Sequence, residues 1–166
     1  MKYQLMCFTI LVIHLLLPID VSTAQERNFG LGVIVGEPTG ISAKLWTSPG
    51  NAFDFGLGWS IAGNRWENNE GQGNGENRMH FHMDYLWHAF NAIKSEERFP
   101  LHYGFGGRVN TGGGYNTSVA VRGVIGIGWM PRETPIDIFV ELVPGLQVSP
   151  STGFVIDAGL GARYYF

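Results

Sequence analysis

From Phe29 to the C-terminus the chain alternates with a period of two in eight stretches, and one of the two sets of positions so defined carries no charge. A period of two belongs to strands whose faces meet different surroundings. The uncharged set occupies odd positions through six stretches: Phe29 to Val35, Ile41 to Leu45, Phe53 to Ile61, Met79 to Trp87, Leu101 to Val109, and Val119 to Trp129. After the Pro131 to Pro135 turn it moves to even positions, Ile136 to Leu146 and Phe154 to Phe166. Segments of turn composition separate the stretches, among them Glu37-Pro38-Thr39-Gly40, Ser48-Pro49-Gly50-Asn51, Thr111-Gly112-Gly113-Gly114 and Ser149-Pro150-Ser151-Thr152.

The other set has a different character. It holds glycine pairs (Gly30/Gly32, Gly56/Gly58, Gly104/Gly106, Gly126/Gly128, Gly159/Gly161) and five cations, Lys44, Arg78, Arg108, Arg122 and Arg163. Five anions, Asp54, Asp84, Asp137, Glu141 and Asp157, balance them. A small closed barrel with lipid outside and a filled polar lumen needs this division. The expected fold is therefore all-β, an eight-stranded antiparallel up-and-down transmembrane barrel. Its lumen network comprises those ten charges with His80 and His82. Charges taken out of water must pair. Regular ladders place Glu141 nearly opposite Gly161, with Arg163 and Arg122 diagonal to it on either side.

Aromatic residues sort by height in that arrangement. Phe29, Phe53, Phe55, Tyr85, Trp87, Tyr103, Trp129, Tyr164 and Phe166 fall near the strand ends that would face the periplasm, and Trp59, Phe81 and Phe154 toward the other end. Rings at headgroup level are expected of membrane barrels. No stretch after Gln25 is apolar enough for a membrane helix, and a closed barrel is the other structure that satisfies its own backbone in lipid. The first two strands are short against the roughly 9–11 residues of a tilted spanning strand. The Ala89 to Pro100 connection is long enough for a helical turn.

Residues 1–24 read as a cleaved signal peptide. Lys2 is followed by an apolar run from Leu5 to Leu17, and Ser22-Thr23-Ala24 offers small residues for cleavage. The barrel domain is then 25–166. Cys7, the single cysteine, lies in the leader, so the mature chain has no thiol for a disulfide, metal site or nucleophile. Charged residues make up 15% of the chain against a typical value of about 25%. The net charge of −3 gives no case for nucleic acid.

The last strand, Ala158-Gly159-Leu160-Gly161-Ala162-Arg163-Tyr164-Tyr165-Phe166, resembles the C-terminal strand of bacterial outer-membrane barrels. That resemblance implies an assembly signal in Tyr164 and Phe166, read by the barrel-assembly machinery. It also implies a location in the outer membrane, with outer-membrane lipid as the surrounding partner. The mature chain is similar in plan to small barrels of the OmpA/OmpX type. Val121 to Phe166 has a looser similarity to uncharacterised surface barrels of spirochaete type.

Function is far less legible. His80, His82 and Asp84 share a face, and two imidazoles with a carboxylate could hold a metal, but no further ligand is identifiable and the three read as members of the lumen network beside Arg78 and Arg108, so no metal or cofactor is assigned. The glycine pairs lie within strands and lack the context of a nucleotide loop. A lipid-modifying enzyme needs a nucleophile beside a histidine at the membrane surface. His80, His82, His88 and His102 all have lumen parity, so no catalytic residue is assigned. The segment Gly63 to Asn77, with Trp66, Glu67, Glu70 and Glu76, is a candidate recognition loop for an extracellular partner, and Tyr115 a lesser one. The expected role is structural or surface-interacting. A narrow pore is the alternative, with a soluble lipocalin-like carrier of an apolar ligand behind it.

Overall fold

The computed structural model describes residues 27–60, 78–112 and 115–166, the side chains of 115 and 116 excepted. The expected leader lies outside the described residues, as does the candidate loop with Trp66, Glu67, Glu70 and Glu76. The strands are β1 Phe29–Gly36, β2 Thr39–Ser48, β3 Asn51–Ser60, β4 Arg78–Ala89, β5 Leu101–Gly112, β6 Tyr115–Trp129, β7 Ile136–Ser149 and β8 Gly153–Tyr165. Each pairs antiparallel with the next, and β8 returns to β1, closing an up-and-down barrel. Closure leaves the sheet without a free edge along its seam.

Connections 49–50, 90–100 and 130–135 lie at the end of the barrel that holds β1's start and β8's end, here the terminus end. The opposite strand ends, with connections 37–38 and 150–152, form the loop end. At the two-residue connection Glu37-Pro38, Gly36 has a φ of 131° that suits glycine. The Gly36 amide donates to Thr39 Oγ1 at 3.0 Å, and that hydroxyl donates back to the Gly36 carbonyl at 3.1 Å. At the β5–β6 hairpin the ladder runs further than its glycines suggest. Gly112 pairs with Tyr115 beyond a bulge, with Gly112 at a φ of 95°. The 90–100 connection holds a turn rather than the helical turn its length suggested. An isolated bridge from Arg98 to Met130 ties it to the 130–135 connection instead.

The two sets of positions face opposite ways on every strand. The uncharged set points outward and is largely exposed, with Val35 and Phe105 at 61% and Phe154 and Ile156 at 59%. Along one register row Phe29 pairs with Leu45, Leu45 with Phe53, Phe53 with Tyr85 and Tyr85 with Phe105. Rings touch along this band. Phe53 meets Tyr85 at 5.0 Å, Tyr85 meets Trp87 at 5.0 Å, and Trp87 meets Tyr103 at 6.0 Å between centroids. β1 has 8 residues and β2 and β3 have 10, whereas β6, β7 and β8 have 15, 14 and 13.

Candidate functional site

The lumen gathers the chemistry of this chain. All twelve residues expected there (Lys44, Asp54, Arg78, His80, His82, Asp84, Arg108, Arg122, Asp137, Glu141, Asp157 and Arg163) are buried inside the barrel. Alternation puts them there, because on each strand they share the parity of the inward-facing positions. Leu86, Val124 and Val143 form a small apolar cluster among them.

Nearer the terminus end, Arg163 of β8 crosses the bore. Its Nη2 donates to Asp54 of β3, its Nη1 to Asp137 of β7 at 3.2 Å, and its Nε to Ser42 of β2 at 2.8 Å. Its guanidinium also lies 3.7 Å from the centroid of the Phe139 ring. Lys44 Nζ reaches the same Asp137 oxygen at 3.2 Å and stands 3.3 Å from His88 Nε2. Beside this group His102 of β5 meets Glu141 of β7, with Nε2 and Oε1 at 2.9 Å.

Toward the loop end, Arg122 Nη2 pairs with Asp84 at 3.1 Å, and its Nη1 stands 3.5 Å from His80 Nε2. His80 Nε2 and His82 Nδ1 are 3.0 Å apart, so the two imidazoles hydrogen-bond each other. Arg108 of β5 donates to Asp157 of β8 across the barrel, and Arg78 donates to the Asn110 carbonyl and to Ser118 Oγ at 3.3 and 3.4 Å. No group of three or more metal-ligating side chains forms among the described residues. A charged arginine beside His80 further opposes a cation there.

The glycines of this face make room for rings. A Cβ on Gly56 would lie 2.2 Å from the His82 ring, and one on Gly126 would lie 2.4 Å from His102 Nε2. Large side chains and glycines thus alternate across neighbouring strands, which lets eight strands enclose this many polar groups.

The expected surroundings of Glu141 need correction. It pairs with Gly159, not Gly161, because the β7–β8 turn centres on Pro150 rather than Ser151. Arg163 therefore stands opposite Asp137. On the other side Glu141 faces Gly126, and Arg122 faces Gly145 four positions away, beyond diagonal reach. The hydrogen-bonding partner of Glu141 is His102, 39 residues distant. The parity of His88, His102, Ser42 and Tyr165 points inward from the sequence alone. Their partners follow from register and not from parity: Ser42 and Arg163 flank Gly32, and His102 and Glu141 flank Gly126, each pair meeting over the glycine of the strand between them. Tyr115 opens β6 at the tip of its hairpin.

Comparison with protein-family models, with curated proteins and with solved structures returns no match.

Proposed function

We propose that the chain is a bacterial outer-membrane barrel, exported by its signal peptide, with a filled polar lumen and a structural or surface-interaction role through its loop-end segments. One observation carries this reading: the barrel is apolar outside and charged inside. Its outward positions bear large exposed hydrophobic side chains and no charge, while ten charged side chains are buried within. Contiguous exposed apolar surface beyond a few hundred Å² marks a membrane or protein contact, and here it encircles the strands. A lipocalin-like carrier has the reverse arrangement, with an apolar ligand cavity inside and a charged face in water. The outward aromatics of β3, β4 and β5 support the same reading, since rings collect at headgroup level. The terminal Phe166 supports an assembly signal.

The deciding experiment is fractionation followed by gel electrophoresis with and without boiling. The protein is expected in the outer-membrane fraction, extractable only with detergent, and migrating differently before and after heating. Solubility in plain buffer with unchanged migration would overturn the reading.

A further inference from the structure

Nine lysines and arginines fall within the described residues, and five of them lie in the lumen. The other four, Arg27, Lys94, Arg98 and Arg132, all gather at the terminus end, around two adjoining cavities of about 660 and 430 Å³. Lys94, Arg98 and Arg132 line the larger, and Arg27 and Arg98 the smaller. Phe90 and Arg98 belong to both.

These cations differ from those inside. Lys44, Arg108, Arg122 and Arg163 each have a carboxylate within 4.0 Å, whereas none of the four at the terminus end does among the described residues. Acids are near, as Glu96, Glu97 and Glu133, but only Glu97 lines a cavity, and its carboxylate accepts the Arg132 amide at 3.3 Å. The guanidinium groups are nevertheless held. Arg98 donates through Nε to the Met130 carbonyl at 3.3 Å and through Nη2 to that of Pro131 at 3.4 Å. Arg132 donates through Nε to the Glu96 carbonyl at 2.8 Å. A guanidinium has five N–H donors, so both keep donors for a ligand while main-chain carbonyls fix their aim. In the second cavity Trp46 and Phe90 pack at 5.9 Å between centroids and offer an aromatic shelf.

We propose that this groove binds a phosphate ester. Its phosphate would sit among Lys94, Arg98 and Arg132, and the group it esterifies would lie against Trp46 and Phe90. Three cations without an ion-pair partner outnumber the one lining carboxylate, Glu97, and favour a ligand with several acceptor oxygens and negative charge. Guanidinium groups match phosphate oxygens with paired donors. A single carboxylate would leave most of that charge unanswered. The ligand is either a soluble ester or the headgroup of an anionic lipid. The proposal needs only a folded barrel, so it stands or falls separately from the location of the protein.

The test uses the mature chain refolded in non-ionic detergent, with folding checked by the heat-dependent gel shift. Glycerol phosphate is titrated calorimetrically, and retention of phosphatidylglycerol from mixed micelles is followed by native mass spectrometry. Wild type is compared with Lys94→Gln/Arg98→Gln/Arg132→Gln, with Arg132→Gln alone, and, as a charge control, with Arg65→Gln in the candidate recognition segment Gly63 to Asn77. The triple variant is expected to weaken binding about tenfold or more, equivalent to about 1.4 kcal/mol, with the control unchanged. Binding of glycerol phosphate identifies a soluble ester as the source, and retention of phosphatidylglycerol alone identifies a lipid headgroup. If the triple variant does not fold, the single variant decides. No binding of either probe by wild type, or equal binding by wild type and the folded groove variants, would overturn the proposal. Equal loss in Arg65→Gln would reduce it to net charge and overturn it too.

Discussion

Glu141 shows how much depends on a single buried carboxylate. It is 4% exposed and shares a hydrogen bond with His102 inside the barrel. Removing one member of a buried charge set typically costs about 3–5 kcal/mol because the partner is left without compensation. Water entering the lumen would lower that figure. Glu141→Ala is expected to unfold at clearly lower denaturant than wild type, whereas Glu76→Ala, in the candidate recognition segment Gly63 to Asn77, is expected to unfold with wild type. A double-mutant cycle with His102→Ala assigns the loss, since partners in contact are non-additive; full additivity would mean that the pair is not coupled. Glycines provide a second comparison. A Cβ on Gly126 would collide with His102, while one on the outward Gly107 would meet nothing closer than 3.6 Å. Gly126→Ala is expected to destabilise by about 1–3 kcal/mol, as overpacking does, and Gly107→Ala to leave the denaturation midpoint within error.

At the scale of strands, the β8–β1 seam has to close the barrel. Phe166 N donates to the Phe29 carbonyl at 2.9 Å and Tyr165 N to that of Pro135 at 2.8 Å, while the Tyr164 and Phe166 rings meet at 5.2 Å outside. Deleting Phe166 removes both the last seam bond and that ring contact. Outer-membrane levels of the deletion variant are expected to fall far below wild type, while trimming the candidate recognition segment Gly63 to Asn77 is expected to leave them nearly unchanged. Equal levels for the Phe166 deletion and wild type would refute this. Strand count, facing and the inward identity of the charges were legible in the sequence because alternation is a local property, and Ile136 shows that even the parity switch after Pro135 can be read. Register was less legible. A shift in the centre of the Ser149 to Thr152 turn by one residue moves every β7–β8 pair, which is why Arg163 faces Asp137 and not the neighbourhood of Glu141. Partners were legible only once register was known: His102 and Glu141 both face Gly126, so they meet over that glycine across the intervening strand β6. The groove at the terminus end likewise depends on two connections, 90–100 and 130–135, whose meeting through Arg98 has no periodic signal.

For the molecule as a whole, the lumen decides whether anything passes. Eight strands enclose an interior about wide enough for side chains alone, and here the side chains span it. Arg163 links β8 to β2, β3 and β7, while His102 with Glu141 joins β5 to β7. Arg122 with Asp84 joins β6 to β4, and Arg108 with Asp157 joins β5 to β8 toward the loop end. An ion would have to part several such pairs in succession, each desolvated and each costly to break. Planar-bilayer recordings of the refolded protein are therefore expected to show little or no conductance. If this closure comes from the pairs rather than from bore diameter alone, Arg163→Ala should conduct measurably more than wild type while still showing the heat-dependent gel shift. That variant removes a side chain that hydrogen-bonds to three other strands. A large, stable open state in wild type would show that the lumen is not sealed by its charges. A folded Arg163→Ala that stays as closed as wild type would transfer the seal to Phe139, Leu86 and the remaining pairs.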